Sequence, residues 1–91
     1  MTQFNQLHQE VRKILLTEWD PIALRNVPQA QDEYDQYATR IAQMVISRRS
    51  IVELSEYLLH LETSVLGLEA NRERARAVAE KLWSMGRSGE P

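Results

Sequence analysis

The side chains best suited to chemistry are carboxylates that flank a proline-containing segment in the first third of the chain. They belong to Asp20, Asp32, Glu33 and Asp35. Carboxylates can bind hard cations or transfer protons. Successive helical residues turn by about 100°, so Asp32 and Asp35 would share a face while Glu33 points elsewhere. Since no acidic loop has calcium spacing, these acids are more typical of a helix start, and we predict no metal site and no catalytic residue.

Other catalytic chemistry has little support in the sequence. The chain has 0 cysteines, which excludes thiolate catalysis, thiolate metal sites and disulfides. His8 and His60 are far apart, and neither has a second histidine at ligand spacing. No serine lies in a glycine-flanked nucleophile elbow, and there is no glycine-rich phosphate loop. We therefore predict a protein that is not an enzyme and uses no cofactor.

Aromatic residues accompany the acids. Trp19 continues the apolar stripe of the first helix, which favours a core position, while Trp and Tyr are also enriched at binding hot spots. The leading hypothesis is a docking surface for a basic protein partner, with apolar contact from the aromatic rings and negative potential from the acids. Its residues are Trp19, Asp20, Asp32, Glu33, Tyr34, Asp35 and Tyr37.

The elements that must position these residues are predicted to be helices. Apolar residues recur at helical spacing over about Thr2–Glu18, Gln29–Ser47, Ile51–Val65 and Ala70–Met85. No run of alternating β-branched residues indicates a strand. The sequence therefore predicts an all-α fold, a small four-helix bundle-like domain over residues 1–86 with a disordered tail at 87–91.

Two prolines interrupt the connection between helices one and two. Asp20-Pro21 stops the first helix, because Pro21 lacks an N–H and disfavours a helical Asp20. The same pair could start a short turn, with Asp20 as N-cap. Val27-Pro28 is the second predicted break.

The later helices carry local boundary motifs. Ser50 and Glu53 have the spacing of a capping box. Gly67 suits a left-handed residue near the end of helix three, and Gly86 could close helix four.

Helix three carries a second apolar stripe beside its main one, and Ser55 and Glu62 separate the two. The second stripe consists of Val52, Leu59 and Leu66. A helix that is apolar on two sides must bury both, so helix three is either central to the domain or forms a homodimer or partner surface.

A basic face on helix four offers a further alternative, a nucleic-acid accessory role. Its residues are Arg72, Arg74 and Arg76. Intervening glutamates weaken this field, and Arg76 can pair with Glu80 one turn later. The net charge of −2 also provides no general attraction for nucleic acid or anionic lipid, so we expect neither as partner.

Targeting features are not evident. The N-terminus lacks a basic region followed by an apolar core, and no apolar run approaches the roughly 18 residues of a membrane span. We therefore expect a cytoplasmic protein.

The segment from Leu15 to Tyr37 resembles a family of small bacterial proteins of unknown function. The matching motifs are Leu15-Leu16-Thr17-Glu18-Trp19-Asp20-Pro21-Ile22 and Asp32-Glu33-Tyr34-Asp35-Gln36-Tyr37, with Pro28 starting the second pattern. The resemblance implies no particular reaction. Similar proteins occur among bacterial immunity-type proteins, which implies an immunity-like role in binding a partner.

Overall fold

The computed structural model describes residues 2–23, 27 and 32–88 of the chain. Its α-helices are α1 (Thr2–Ile14), α2 (Asp35–Ile46), α3 (Ile51–His60) and α4 (Arg72–Ser88). Over the described ranges there is no β-strand, so the predicted all-α class with four helices is confirmed. None of the described helices combines the length and apolar character that crossing a membrane requires.

The chain divides into two compact units, Met1–Met44 and Val45–Pro91, with the boundary inside α2. The predicted single domain over residues 1–86 remains a prediction.

In the first unit, helix α1 continues into a π-helical turn, Leu15–Trp19, which we call π1. The Asp20 N–H donates to the Leu15 carbonyl at 2.7 Å, the five-residue spacing that defines a π turn. The Thr17 hydroxyl donates to the Lys13 carbonyl at 2.8 Å, and such side-chain bonds compete with the regular helical ladder. Helical structure thus extends through Trp19, close to the predicted end at Glu18.

Helix α2 begins at Asp35, later than the predicted start at Gln29. A 3₁₀ turn over residues 32–34 precedes it, while Pro28 and residues 29–31 lie outside the described part of the chain. Helical spacing predicts one broad apolar face for this helix, and all its members are buried: Tyr34, Tyr37, Ala38, Ile41, Ala42, Met44 and Val45.

In the second unit, the capping box at the start of α3 is confirmed. The Glu53 N–H donates to Ser50 Oγ, and the Ser50 N–H donates to Glu53 Oε1, each at 3.1 Å. These reciprocal bonds satisfy backbone donors that the first helical turn leaves unpaired.

Helix α3 continues into a second π-helical turn, Leu61–Val65, which we call π2. The Leu66 N–H donates to the Leu61 carbonyl at 2.9 Å, and the Thr63 hydroxyl donates to the Leu59 carbonyl at 2.9 Å. The predicted left-handed glycine is confirmed, because Gly67 has φ +70°. Helical spacing groups Val65 with Ile51, Leu54, Leu58 and Leu61 in the main apolar stripe of helix three, but Val65 is 50% exposed.

Helix α4 packs along α3. Asn71 caps its N-terminus, with Oδ1 accepting the Arg74 N–H at 3.0 Å. The predicted end at Gly86 is wrong, because the helix runs to Ser88. One glycine inside a helix costs about 1 kcal/mol, which does not suffice to end it. Arg87 and Ser88 are therefore helical, while residues 89–91 of the predicted tail lie outside the described part.

Candidate functional site

The residues of the predicted docking surface lie where π1 meets the start of α2. Trp19, Tyr34 and Tyr37 form an aromatic cluster, with ring centroids 5.5 Å apart for Trp19–Tyr34, 6.5 Å for Trp19–Tyr37 and 6.1 Å for Tyr34–Tyr37. Their exposed fractions are 2%, 0% and 5% respectively. The prediction that they offer apolar contact to a partner is therefore wrong, and the alternative core position is confirmed. Burying an aromatic side chain removes about 150–250 Å² from water, so the core is favoured.

The tyrosine hydroxyls of this aromatic cluster contact two of the predicted site carboxylates. The Tyr34 hydroxyl donates to Asp20 Oδ1 at 3.0 Å, and the Tyr37 hydroxyl donates to Glu33 Oε2 at 3.4 Å. Because both rings are buried, each hydroxyl holds its carboxylate from the protein side. Tyr34 and Tyr37 thus help to orient two of the four acids.

Asp20 ends a helix, which differs from its predicted role as an N-cap. Its backbone is left-handed, with φ 30° and ψ 59°, whereas an N-cap residue is extended. The bond from its N–H to the Leu15 carbonyl closes π1, and its left-handed backbone ends the helix. Asp20 is therefore also the first residue of the turn that follows, at residues 20–23.

Asp35 takes part in an ion pair within the first unit. Arg12 Nε lies 2.6 Å from Asp35 Oδ1, and the two side chains are 35% and 43% exposed. The pair joins α1 to the first residue of α2. Asp35 is therefore partly neutralised by a cation of its own chain.

A histidine reinforces the same connection between α1 and α2. His8 Nε2 lies 3.0 Å from Thr39 Oγ1 and 3.3 Å from the Asp35 carbonyl oxygen. The Thr39 hydroxyl itself donates to that carbonyl at 3.1 Å. Sequence reasoning missed His8, Arg12 and Thr39, because contacts across 23 to 31 residues leave no local pattern.

Asp32 and Glu33 are the exposed acids of the site, while Asp20 and Asp35 are half-buried. We call the four residues the acidic surface. Among the residues that the structure describes, no three histidine, aspartate or glutamate side chains gather as metal ligands. The acidic surface can present negative potential, and the buried aromatic cluster supports it.

The second unit contains a carboxylate whose burial was not predicted. Glu62 lies in π2 and is 0% exposed, although the sequence placed it between two apolar stripes. Its Oε1 accepts the Asn71 N–H at 2.8 Å, and its Oε2 lies 3.3 Å from Arg74 Nη2. Glu62 therefore ties the end of α3 to the start of α4.

The predicted oligomer stripe does not form one surface. Val52 is 59% exposed and Leu59 is 8% exposed, while Leu66 is half-buried. Ser55, predicted to separate the stripes, is itself buried. The three residues therefore do not share one exposed face, and a homodimer stays a prediction.

The basic face of α4 is partly neutralised by glutamates. Arg74 pairs with the buried Glu62, and Arg76 Nε lies 2.9 Å from Glu80 Oε2, as predicted. Arg72 is exposed. Two of the three arginines thus have carboxylate partners in their own chain, which weakens the argument for a phosphate-binding face.

No family model, no curated protein and no solved structure matches the chain. The resemblance to the bacterial family with the Trp-Asp-Pro-Ile motif therefore remains a prediction.

Proposed function

We propose that the protein is a non-enzymatic, cytoplasmic binding module whose acidic surface takes a basic segment of a protein partner. The observation that carries the proposal is that buried tyrosines of the aromatic cluster hydrogen-bond to carboxylates of the acidic surface. Glu33 is exposed, yet the buried Tyr37 contacts its carboxylate. A carboxylate that is already oriented loses less conformational freedom on binding than a free surface side chain.

Electrostatics favours a basic partner. Asp32 and Glu33 are adjacent and exposed, and they lie just before the N-terminus of α2. Complementary charge across an interface mainly increases the rate of encounter and selects against wrong partners. An exposed pair of acids therefore suits a segment rich in lysine or arginine.

The proposal differs from the initial hypothesis in the role of the aromatic residues. They stabilise and orient the acidic surface, and the partner would contact the acids. An immunity-like role, in which the protein binds and neutralises another protein, is compatible with this mechanism and rests on the family resemblance alone.

The test uses a library of fluorescent peptides that differ in lysine and arginine content. The double variant Asp32→Asn/Glu33→Gln should weaken binding of the tightest basic peptide about five- to tenfold at low salt, since each exposed pair contributes up to about 1 kcal/mol. Asp35 is left unchanged, because its substitution would also remove the ion pair with Arg12.

The matched control is Glu56→Gln/Glu69→Gln, which removes the same two charges from exposed positions in the second unit. Because neither glutamate belongs to the acidic surface, this control should weaken binding less than Asp32→Asn/Glu33→Gln does. Equal loss in both variants would show a general charge effect, and no preference for basic peptides would contradict the proposal.

A further inference from the structure

A coiled-coil spacing of apolar residues runs from α3, through the turn that follows it, into α4. Apolar residues separated by alternating steps of three and four return to one helix face every seven residues, which is typical of a coiled-coil seam. We call these positions the seam, and they are Ile51, Leu54, Leu58, Leu61, Val65, Leu68, Arg72, Ala75, Ala79 and Leu82. The pattern favours one continuous helix, whereas the structure ends π2 at Val65 and begins α4 at Arg72.

The hairpin formed by α3 and α4 buries most of the seam but leaves it exposed beside the turn. Six seam residues are at most 2% exposed: Leu54, Leu58, Leu61, Ala75, Ala79 and Leu82. Val65 and Leu68 are 50% and 37% exposed, although both are apolar. The chain reverses its direction at these two residues, so the turn leaves uncovered a part of the seam that a continuous helix would complete.

The reversal depends on a glycine and on bonds to Glu62. Gly67 has φ +70°, which residues with a Cβ atom rarely adopt, and no atom of the described residues lies within 4 Å of where its Cβ would be. The Leu68 N–H donates to the Glu62 carbonyl at 2.8 Å, a bond typical of a helix that ends at a left-handed glycine. Glu62 Oε1 also accepts the Asn71 N–H. The backbone conformation of Gly67 therefore makes this residue the hinge of the hairpin.

We propose that the second unit also has an open form, in which residues 51–88 make one helix that pairs antiparallel with the same helix of a second copy of the chain. In the hairpin α3 and α4 are antiparallel, because Glu62 at the end of α3 contacts Asn71 and Arg74 at the start of α4. Opening at Gly67 replaces the chain's own α4 by the α4 of the second copy, so the same contacts form again between chains. This inference concerns the second unit and does not rest on the acidic surface.

The ion pair between Glu62 and Arg74 sets the register of this dimer. In the hairpin Glu62 Oε2 lies 3.3 Å from Arg74 Nη2. When these two positions face each other between chains, the two-fold axis passes position 68, which lies midway between them. Leu68 then packs against Leu68 of the second copy, with Val65 beside it, and the exposed part of the seam is covered. Arg72 is the polar residue of the seam, and such a residue fixes the register at a cost in affinity.

Gly67→Ala tests the hinge. Alanine is disfavoured at φ +70° and is favoured over glycine inside a helix, so the substitution destabilises the hairpin and stabilises the open helix. Each effect is about fivefold per chain, and a dimer contains two hinges, so the dissociation constant of the dimer should fall at least about 100-fold. Sedimentation velocity over a concentration series measures this constant. A Gly67→Ala variant that stays monomeric, with its helices intact by circular dichroism, would overturn the proposal.

The matched control is Gly86→Ala, because Gly86 lies inside α4 in both forms. The dissociation constant should change less than about twofold, since the gain in helix propensity is the same in the hairpin and in the open helix. An equal gain from both substitutions would overturn the role of the hinge. Adding Leu68→Ser to Gly67→Ala removes the apolar residue at the centre of the dimer and should raise the dissociation constant about tenfold or more, whereas an unchanged constant would contradict the register.

Isotope-filtered NMR identifies the exchange of α4 between chains. Isotope-labelled and unlabelled Gly67→Ala are mixed in urea and refolded together. We expect nuclear Overhauser effects between α3 of a labelled chain and α4 of an unlabelled chain, and a dimer that shows them only within one chain would overturn the proposal. If Gly67→Ala loses its helices, the wild type refolded at about 1 mM takes its place, and absence of a dimer there would also overturn the proposal.

Discussion

Replacing Glu62 by alanine tests how the second unit is held together. The Glu62 side chain is 0% exposed, accepts the Asn71 N–H at 2.8 Å and lies 3.3 Å from Arg74. We expect Glu62→Ala to lower the free energy of unfolding by about 3 kcal/mol. That would be a large fraction of the stability of a small domain, which is typically about 5–15 kcal/mol.

The magnitude follows from what the substitution leaves behind. Breaking a fully buried ion pair costs about 3–5 kcal/mol, because one charge stays buried without its partner. The Arg74 side chain is 29% exposed, so it keeps some contact with water and the cost falls to the lower end. The Asn71 N–H also loses its acceptor, which adds to the loss if water cannot replace the carboxylate.

Urea unfolding followed by far-UV circular dichroism measures the effect. Glu62→Gln should cost about 1–2 kcal/mol, because its amide oxygen can still accept the Asn71 N–H while the charge is gone. The matched control is Glu80→Ala, which removes an exposed carboxylate from the ion pair with Arg76. That control should change stability by no more than about 0.5 kcal/mol.

The difference in the free energy of unfolding between Glu62→Ala and Glu80→Ala shows whether the buried pair stabilises the unit more than the exposed pair does. If Glu62→Ala costs no more than Glu80→Ala, the contacts of Glu62 contribute little, and the role assigned to it is refuted. If Glu62→Gln is as damaging as Glu62→Ala, the charge rather than the hydrogen bond to Asn71 carries the effect.

Three further predictions concern the helices of the second unit. The Ser50 N–H donates to the Glu53 carboxylate and lowers its pKa, so the stability that this bond contributes is present above the ordinary pKa of a glutamate and is lost as the pH falls through the lowered pKa. The melting temperatures of Glu53→Gln and wild type should therefore converge in acid. Asn71→Ala removes the α4 cap and should cost about 1 kcal/mol in urea unfolding, whereas an unchanged midpoint would show that the cap is dispensable. Leu59→Ala should lower the free energy of unfolding by about 2–3 kcal/mol and Val52→Ala by under about 0.5 kcal/mol, because only Leu59 is buried. Equal losses would indicate that the two residues share one environment, as the stripe predicted.

Local patterns predicted much of the secondary structure. The apolar periodicity located all four helices, and the Ser50–Glu53 capping box and the left-handed Gly67 are present as expected. These features depend on residues within about one helical turn of each other, so their sequence spacing is informative. The errors at Gln29 and Gly86 are errors of boundary, where local preferences are weak.

The candidate site was only partly predictable. The core position that the apolar stripe favoured for Trp19 is confirmed, while the hypothesis that Trp19, Tyr34 and Tyr37 contact a partner is wrong. A tyrosine has an apolar ring and a polar hydroxyl, so its sequence position does not reveal whether it faces a partner or the core. Burial of Glu62 was likewise missed, because its contacts come from residues 9 to 12 positions later.

The sequence by itself determined the helical class, the main buried faces and the local caps, since these arise from interactions between near neighbours along the chain. Only the tertiary structure decided which carboxylates reach solvent and which are held inside. It buried the aromatic rings beneath Asp20 and Glu33, paired Asp35 with Arg12 and enclosed Glu62. The physical reason is that burial and ion pairing sum contributions from segments distant in sequence, which no local spacing encodes.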